Sequence, residues 1–518
     1  MKKQTSLLIM ALLSITAGCK KNEDIKTAVN QADISKLPLV TAAATTGYLG
    51  VTCGYQYSDQ LTGPLTYPGQ QNISLYNPDP KNPNNTWDDW ISQLIQAGVD
   101  FVCPNLTGAN ADFDDTPANI APMIAAINKR GLQNQLKVAA FDDNAASWCA
   151  MWNYANGRGH GYDKPFDISK PANWKFIYEQ NYKIFFKTVP DANRFKINGR
   201  PVIIIWTGSD FFIANMQGNA SKAITYVRQK CQADFGFNPY IILSQDFFTN
   251  DTTCLAAGIA DAKEDWFGAP NTSFSLDKFR SASVGVVASQ FAHPGEDVYI
   301  DPKHGNTLET GLNQTVGAGA QLTLCEGFTD YEEDAALFRV RNIDDNGKTL
   351  TYAQTGYDYP NQRLGILRKH SRNPFPTTLR LEAEGCDYFG GAAGGKGKKN
   401  FYRNGNIAIN PTTDPEGGAF EVSSVQKNEW LEWRRLPFNN HMSIQVRLAN
   451  PLSNMQAHLI IDGVDKPAKK LPNTGAANKW TLFDFGDLGA FSKSYHNVRI
   501  VFNTGGVQVN WIMLTSHS

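Results

Sequence analysis

Apolar and polar positions alternate along this chain in two distinct rhythms. From residue 46 onward, short apolar runs rich in β-branched and aromatic residues recur, each ending in polar or aromatic side chains. The runs are Tyr48–Tyr55, Val99–Pro104, Leu136–Phe141, Pro201–Trp206, Tyr240–Ser244, Ala262–Phe267, Val284–Ser289 and Gln321–Cys325. Between them lie stretches of helical period such as Trp87–Ala97, which opens behind an Asn-Thr pair able to cap it, and Pro117–Arg130. This is the rhythm of βα units. Crossovers of that length favour parallel pairing, and eight strands is the number that closes a (β/α)8 TIM-type barrel. A doubly wound sheet gives the same alternation but carries a glycine-rich phosphate loop after its first strand, and the sequence has none there.

After Leu367 the pattern changes. Residues 373–378 read as a linker, and short alternating strands divided by Gly, Asn and Pro follow: Ala419–Val422, Glu429–Arg434, Ser443–Leu448, Ala457–Ile461, Asn497–Phe502 and Val507–Met513. That is the pattern of an all-β sandwich or jelly roll. The chain is therefore expected to divide into a barrel over 46–372 and a sandwich over 379–518, preceded by residues 1–19 and 20–45 of a different kind.

The first residues, Met1-Lys2-Lys3, an apolar run from Leu7 to Ile15, then Thr16-Ala17-Gly18-Cys19, predict a secretory signal whose h-region is too short to span a bilayer. Small residues before Cys19 resemble a lipobox, in which that Cys is lipidated and becomes the mature N-terminus. The charged stretch Lys20-Lys21-Asn22-Glu23-Asp24 resembles the export signals of surface lipoproteins in Bacteroidetes. The expectation is a monomeric outer-membrane lipoprotein of the cell envelope, held to the lipid through Cys19 and exposed at the surface.

Charge and composition narrow the partner. Lys plus Arg (48) balance Asp plus Glu (49), so there is no basic field for nucleic acid. With 11 Trp and 19 Tyr, many beside Gly, Asn and Asp, the chain suits sugars, whose C–H faces stack on rings while their hydroxyls bond. Beyond Cys19 there are seven cysteines, an odd number with no Cys-x-x-Cys pair and no His-Glu-x-x-His, which supports neither a full disulfide framework nor a catalytic zinc site.

Functional groups of a (β/α)8 barrel stand where its strands end. Those ends read Gln56 and Tyr57, Asn105, Asp142 and Asp143, Trp206, Gln245 and Asp246, Asp265 and Trp266, Gln290, and Glu326. The rim lacks a phosphate-binding cation cluster, a nucleophile elbow and a cofactor fingerprint, so no catalytic cofactor is expected. Asp142, Asp143, Asp246 and Asp265 are candidates to grip sugar hydroxyls, although one of two adjacent acids can serve as a helix cap. Trp206 and Trp266 are candidates for a stacking floor. The densest acidic run, Glu326 to Asp334, leaves the eighth strand. Glycoside cleavage needs two carboxyls, and Asp330 and Glu333 would share one face of a helical turn.

Four segments in this order carry a resemblance: Ala97-Gly98-Val99-Asp100, Lys196-Ile197-Asn198-Gly199-Arg200-Pro201-Val202, Asp265-Trp266-Phe267-Gly268, and the acidic run. Over about Gly47 to Phe338 the chain resembles glycoside hydrolase families 71 and 99 and a related Bacteroidetes barrel family with a C-terminal sandwich. The resemblance places Asp330 and Glu333 on the two catalytic Glu of the family 99 pattern, with Asp330 one methylene shorter, and leaves Glu326 as a third candidate. In the second region, Leu381-Glu382-Ala383-Glu384, Asn428-Glu429-Trp430-Leu431-Glu432-Trp433 and Val509-Asn510-Trp511-Ile512 resemble family 6 carbohydrate-binding modules. That likeness implies a structural Ca²⁺ held by Glu382, Glu384 and Asn510, and a sugar-stacking Trp480. Two functions follow as expectations: a glycoside hydrolase acting on a polysaccharide or glycan, or a non-catalytic glycan-binding lipoprotein that keeps the barrel as scaffold. No Ser/His or metal constellation supports a peptidase or esterase.

Overall fold

The computed structural model describes residues 47–54, 87–106, 108, 116–159, 161–264, 283–284, 302–325, 327–329, 336–340, 351, 357–391, 407–438 and 440–517. In the first region, strands β1 (Tyr48–Cys53), β2 (Phe101–Leu106), β3 (Ala140–Asp143), β4 (Arg200–Trp206), β5 (Tyr240–Ser244), β6 (Ala262–Glu264), β7 (Ser283–Val284) and β8 (Leu322–Cys325) form one sheet. Its order is β6-β5-β4-β3-β2-β1-β8-β7, and every one of these pairings is parallel. The parallel pairing is as the run pattern predicts. Among the described residues no pairing joins β6 to β7. Helices α1 (Trp87–Ala97), α2 (Thr116–Lys129), α3 (Ala220–Phe235), α4 (Gln245–Asn250), α5 (Asn306–Gln314) and α6 (Gln362–His370) supply the crossovers and cover.

The two faces of this sheet bury different sets of residues. Phe101, Cys103, Phe141, Val202, Ile204, Trp206, Tyr240, Ile242, Ala262, Leu322 and Leu324 pack with one another on the inner face. The residues between them, such as Val102, Ala140, Ile203, Ile205, Ile241 and Leu243, pack outward against the helices. Because side chains alternate along a strand, this fixes which strand-end residues point inward. The sheet is strongly curved. Cys103 on β2 and Glu264 on β6 are four strands apart, ~19 Å in a flat sheet, yet the Glu264 carboxylate, after burial, is the next cause that raises the Cys103 thiol. At β1 the curvature leaves no room for a side chain at Gly50, where a Cβ would lie 2.2 Å from the Phe101 ring.

The second region is antiparallel throughout. One sheet runs β11 (Ile409–Pro411), β12 (Phe420–Val422), β18 (Gln508–His517), β14 (His441–Ala449), β16 (Trp480–Ala490), with β9 (Thr378–Glu382) on β18. The other runs β10 (Tyr388–Gly390), β13 (Glu429–Phe438), β17 (Ser494–Phe502), β15 (Gln456–Ile461). Their inner faces bury Leu431, Trp433, Ile444, Val446, Ile500 and Ile512.

The two regions are joined through α1. Arg339, fully buried, bonds Asp387 at 2.9 Å and Gln96 of α1 at 2.6 Å, while Lys129 donates to the Gly417 carbonyl at 2.6 Å. The stretch read as a linker is pinned as well. Just before it, Arg372 bonds Asp100 at 2.9 Å and lies 3.8 Å over the Tyr48 ring, and within it the Asn373 amide donates to the Gly98 carbonyl. All seven cysteines beyond Cys19 are buried, consistent with small core residues.

Candidate functional site

The carboxyl ends of the parallel strands form a row on the inner face. With Phe141 inward and Ala140 outward, Asp143 faces inward and Asp142 outward. Asp143 stands beside Trp206 in the β3–β4 register, and Glu264 stands beside Ser244 in the β5–β6 register. By the same alternation Asn105 is the inward residue at the end of β2. The row Asn105, Asp143, Trp206, Ser244, Glu264 therefore brings one polar or indole group from each of five consecutive strands to the end where barrel enzymes place their chemistry. Asp143 and Ser244 are nearly inaccessible and Glu264 is wholly buried. Among the described residues the Ser244 hydroxyl and the Asn105 side-chain oxygen have no hydrogen-bond partner.

Asp143 and its neighbour are held differently. Asp143 Oδ1 accepts the backbone N–H of Ala145 at 3.1 Å and of Ala146 at 3.4 Å, so this acid also caps the helical turn that follows. No hydrogen bond to Oδ2 is present among the described residues. Burial pushes the Asp143 carboxyl up to about 7, against the two amide bonds and with the help of the adjacent Asp142. Asp142, behind the sheet, accepts from Ser147 Oγ, the Tyr182 hydroxyl and, at 2.9 Å, Trp148 Nε1. Burial raises it to about 6, moderated by those donors. Both of its oxygens are engaged by the protein, so its place is between sheet and helices rather than in the row.

The other candidates separate clearly. Asp246, on the first turn of α4, accepts from Thr207 Oγ1 at 2.9 Å and stands at the rim next to the row. Asp265, Trp266, Glu326, Asp330 and Glu333 lie outside the described residues, as does Cys19. The described segment between Glu326 and Asp330 is tied to the end of β1: Gly327 N–H donates to Thr52 Oγ1 at 2.7 Å, and Thr329 Oγ1 accepts from Gly54 at 2.9 Å. Glu264 is the residue that sequence reasoning missed. The signal was its two-residue offset from Ala262, a small apolar residue on the inner face.

In the second region, half-buried Trp480 opens β16 and donates through Nε1 to Thr413 Oγ1 at 3.1 Å. Glu382, Glu384 and Asn510 are all buried and adjacent, with Glu382 opposite Trp511 in the β9–β18 register. Glu382 pairs with Arg380 at 2.7 Å, yet burial still raises its carboxyl. Glu384 is driven well above the usual carboxylate range by burial and then by the charges of Glu382 and Asp89. Asn510 Oδ1 is buried with no hydrogen bond, while its Nδ2 donates to Asp414 at 3.0 Å. Among the described residues no three Asp, Glu, His or Cys side chains form a metal-ligating group. The trio thus offers an orphan oxygen and crowded negative charge, which fit a cation. It also holds an arginine that already neutralises one of the carboxylates.

Residues 403–514 match the model of the carbohydrate binding module, family 35. The chain thus carries a C-terminal carbohydrate-binding module. Similar solved structures include the C-terminal family 6 module of a marine laminarinase from Zobellia galactanivorans, at 21% identity over 27% of this chain and 99% of that one, TM-score 0.22. A family 35 module from Clostridium thermocellum is 17% identical over 27% of this chain and 100% of that one, TM-score 0.21. A family 43 arabinoxylan arabinofuranohydrolase from Bacillus subtilis is 20% identical over 27% of each chain, TM-score 0.21. No curated protein matches the chain. Over residues 45–388, more than half of its length, the sequence matches the family described as Domain of unknown function (DUF5010), and the chain belongs to that family.

Proposed function

We propose that this chain is a glycoside hydrolase of the cell envelope, acting on a polysaccharide or glycan by carboxylate acid/base catalysis. Its parallel sheet closes between β6 and β7 into a (β/α)8 barrel of the family 71/99 kind, and its module holds the glycan near the cleft. The supporting observation is the inward row at the strand ends, which sets carboxyls, an indole and unbonded polar groups together in a chain that also carries a carbohydrate-binding module. Glu326, Asp330 and Glu333, which follow the eighth strand in sequence, and Asp265 and Trp266, which follow the sixth, are the further candidates from the sequence. A calcium ion held by Glu384, Asn510 Oδ1 and Glu382 would neutralise the crowded carboxylates of the module. Lipidation at Cys19 would place the enzyme on the outer membrane, so Cys19→Ser is expected to move it from the membrane fraction to the soluble one.

The direct test is product release from a panel of α- and β-linked oligosaccharides and mannans by the purified protein, beside Glu333→Gln and Asp330→Asn. Cleavage of one substrate supports the reading, and its loss in both variants assigns those acids. A protein that binds a glycan and cuts none is instead a glycan-binding lipoprotein with a barrel scaffold.

A further inference from the structure

We propose that Asp143 and Glu264 are the reacting carboxyl pair, Asp143 as proton donor to the glycosidic oxygen and Glu264 as acceptor of a proton from the attacking water. The inference rests on the hydrolase reading above and draws its pair from β3 and β6, whereas the resemblance draws on the acidic run after β8. Geometry carries it. Both residues are inward, both are at the carboxyl end of a parallel strand, and three strand spacings separate them, ~14 Å along the sheet and less across its hollow side. Single displacement requires the two carboxyls to stand ~6.5–9.5 Å apart across the substrate, which the curvature of the sheet toward its inner face would have to supply. Ser244, beside Glu264, is nearly inaccessible, and among the described residues its Oγ has no hydrogen-bond partner, so the row holds a buried donor that these residues leave unsatisfied. Such a group costs free energy unless a ligand satisfies it, and a sugar hydroxyl would.

The charge state of Asp143 agrees with the role. A carboxyl at about 7 keeps its proton through mildly acidic pH and releases it near neutrality, which suits a general acid. Among the described residues, the titratable groups around it are Asp142 behind it, Tyr162, whose hydroxyl is pushed up by burial and then by Asp143, and Asp246, bonded to Thr207. None of these three supplies a positive charge that would lower it. In the reaction the C1–O bond breaks as the Asp143 proton passes to the leaving oxygen. The water oxygen bonds to C1 and its proton passes to Glu264, and both carboxyls then re-equilibrate with solvent.

The experiment uses the full-length protein on the oligosaccharide cleaved in the panel and on the 4-nitrophenyl glycoside of the same sugar. That leaving group needs no proton. Asp143→Asn keeps the Oδ1 acceptor for Ala145 and Ala146, and Glu264→Gln keeps the volume, so melting curves should confirm folded variants. Asp143→Asn is expected to lower kcat on the oligosaccharide by ~100-fold or more with KM little changed, to spare the nitrophenyl substrate, and to erase the fall in kcat as pH rises through about 7. Glu264→Gln is expected to depress both substrates by ~100-fold, and Ser244→Ala to raise KM. If both acid variants keep wild-type kcat and pH profile on a substrate that the native protein cuts, the pair is wrong and the hydrolase reading stands. If the native protein cuts nothing in the panel, the reading falls and takes the pair with it.

Discussion

Replacing Arg339 by alanine tests how the two regions are held together. The guanidinium is fully buried, 2.9 Å from Asp387 and 3.7 Å from Asp89, and donates to Gln96 at 2.6 Å, while the Arg339 N–H meets Gln93 Oε1 at 2.8 Å. Truncation leaves two carboxylates in the interface, at 0% and 2% exposure, without their cation. Removing one partner of such a pair costs about 3–5 kcal/mol, because the remaining charge stays desolvated. The effect on melting depends on what unfolds. Taking ~2.1 cal/mol/K per residue, a module of ~140 residues melting alone would lose ~10–17 °C, whereas a chain of ~470 residues melting as one unit would lose ~3–5 °C. Differential scanning calorimetry separates the two: the buried interface predicts a single transition in the native protein that splits in Arg339→Ala, with the module melting first. Arg339→Lys, which keeps the charge but not the fork, is expected to fall between. A native protein with two independent transitions, or a variant within ~1 °C of it, would refute the argument that this ion pair welds the regions.

Three further outcomes are expected. Asp143 and Asp142 are both raised in the fold, to about 7 and about 6, so the folded state holds more protons than the unfolded chain between about pH 4 and 7. Their contribution to stability is therefore full in acid and lost as pH rises through those values. Asp143→Asn is expected to melt higher than the native protein at pH 8, by a few kcal/mol at most, and not at pH 4.5; thermal melts across pH check this. For the module, the charges of Glu382 and Asp89 acting on buried Glu384, together with the Asn510 Oδ1 that lacks a partner among the described residues, predict that calcium raises its melting temperature and a chelator lowers it; a ligand at a hundred times its Kd adds ~2.7 kcal/mol. No response to either would mean that the Arg380–Glu382 pair suffices. Trp480→Ala is expected to weaken retention on immobilised polysaccharide about tenfold, ~1.4 kcal/mol, while cleavage of short soluble substrates is unchanged. Affinity electrophoresis beside a soluble-substrate assay reads both.

The run pattern located the parallel strands because a strand covered on both faces is apolar almost throughout, as in Val202 to Ile205. The same property hides the phase. Nothing in Ala140-Phe141-Asp142-Asp143 says which acid points inward until the register with Ile203 to Trp206 is known. Glu264 was overlooked because the apolar run was read through Phe267, which put its functional end at Asp265 and Trp266, whereas the described strand ends at Glu264. Strand β16 was missed for another reason. It is an edge strand, interrupted by Gly486 and Gly489, with its pairing to β14 shifted twice, so no alternation survives. The polar side of α1 carries a different burden. Asp89, Ser92, Gln93 and Gln96 are all buried, because Arg339 and Arg130 meet them at the junction with the module. A helix that spends its polar face on a neighbouring domain fixes that domain in place. The module is therefore held against the first region by the buried contacts of α1 rather than hung on a flexible tether.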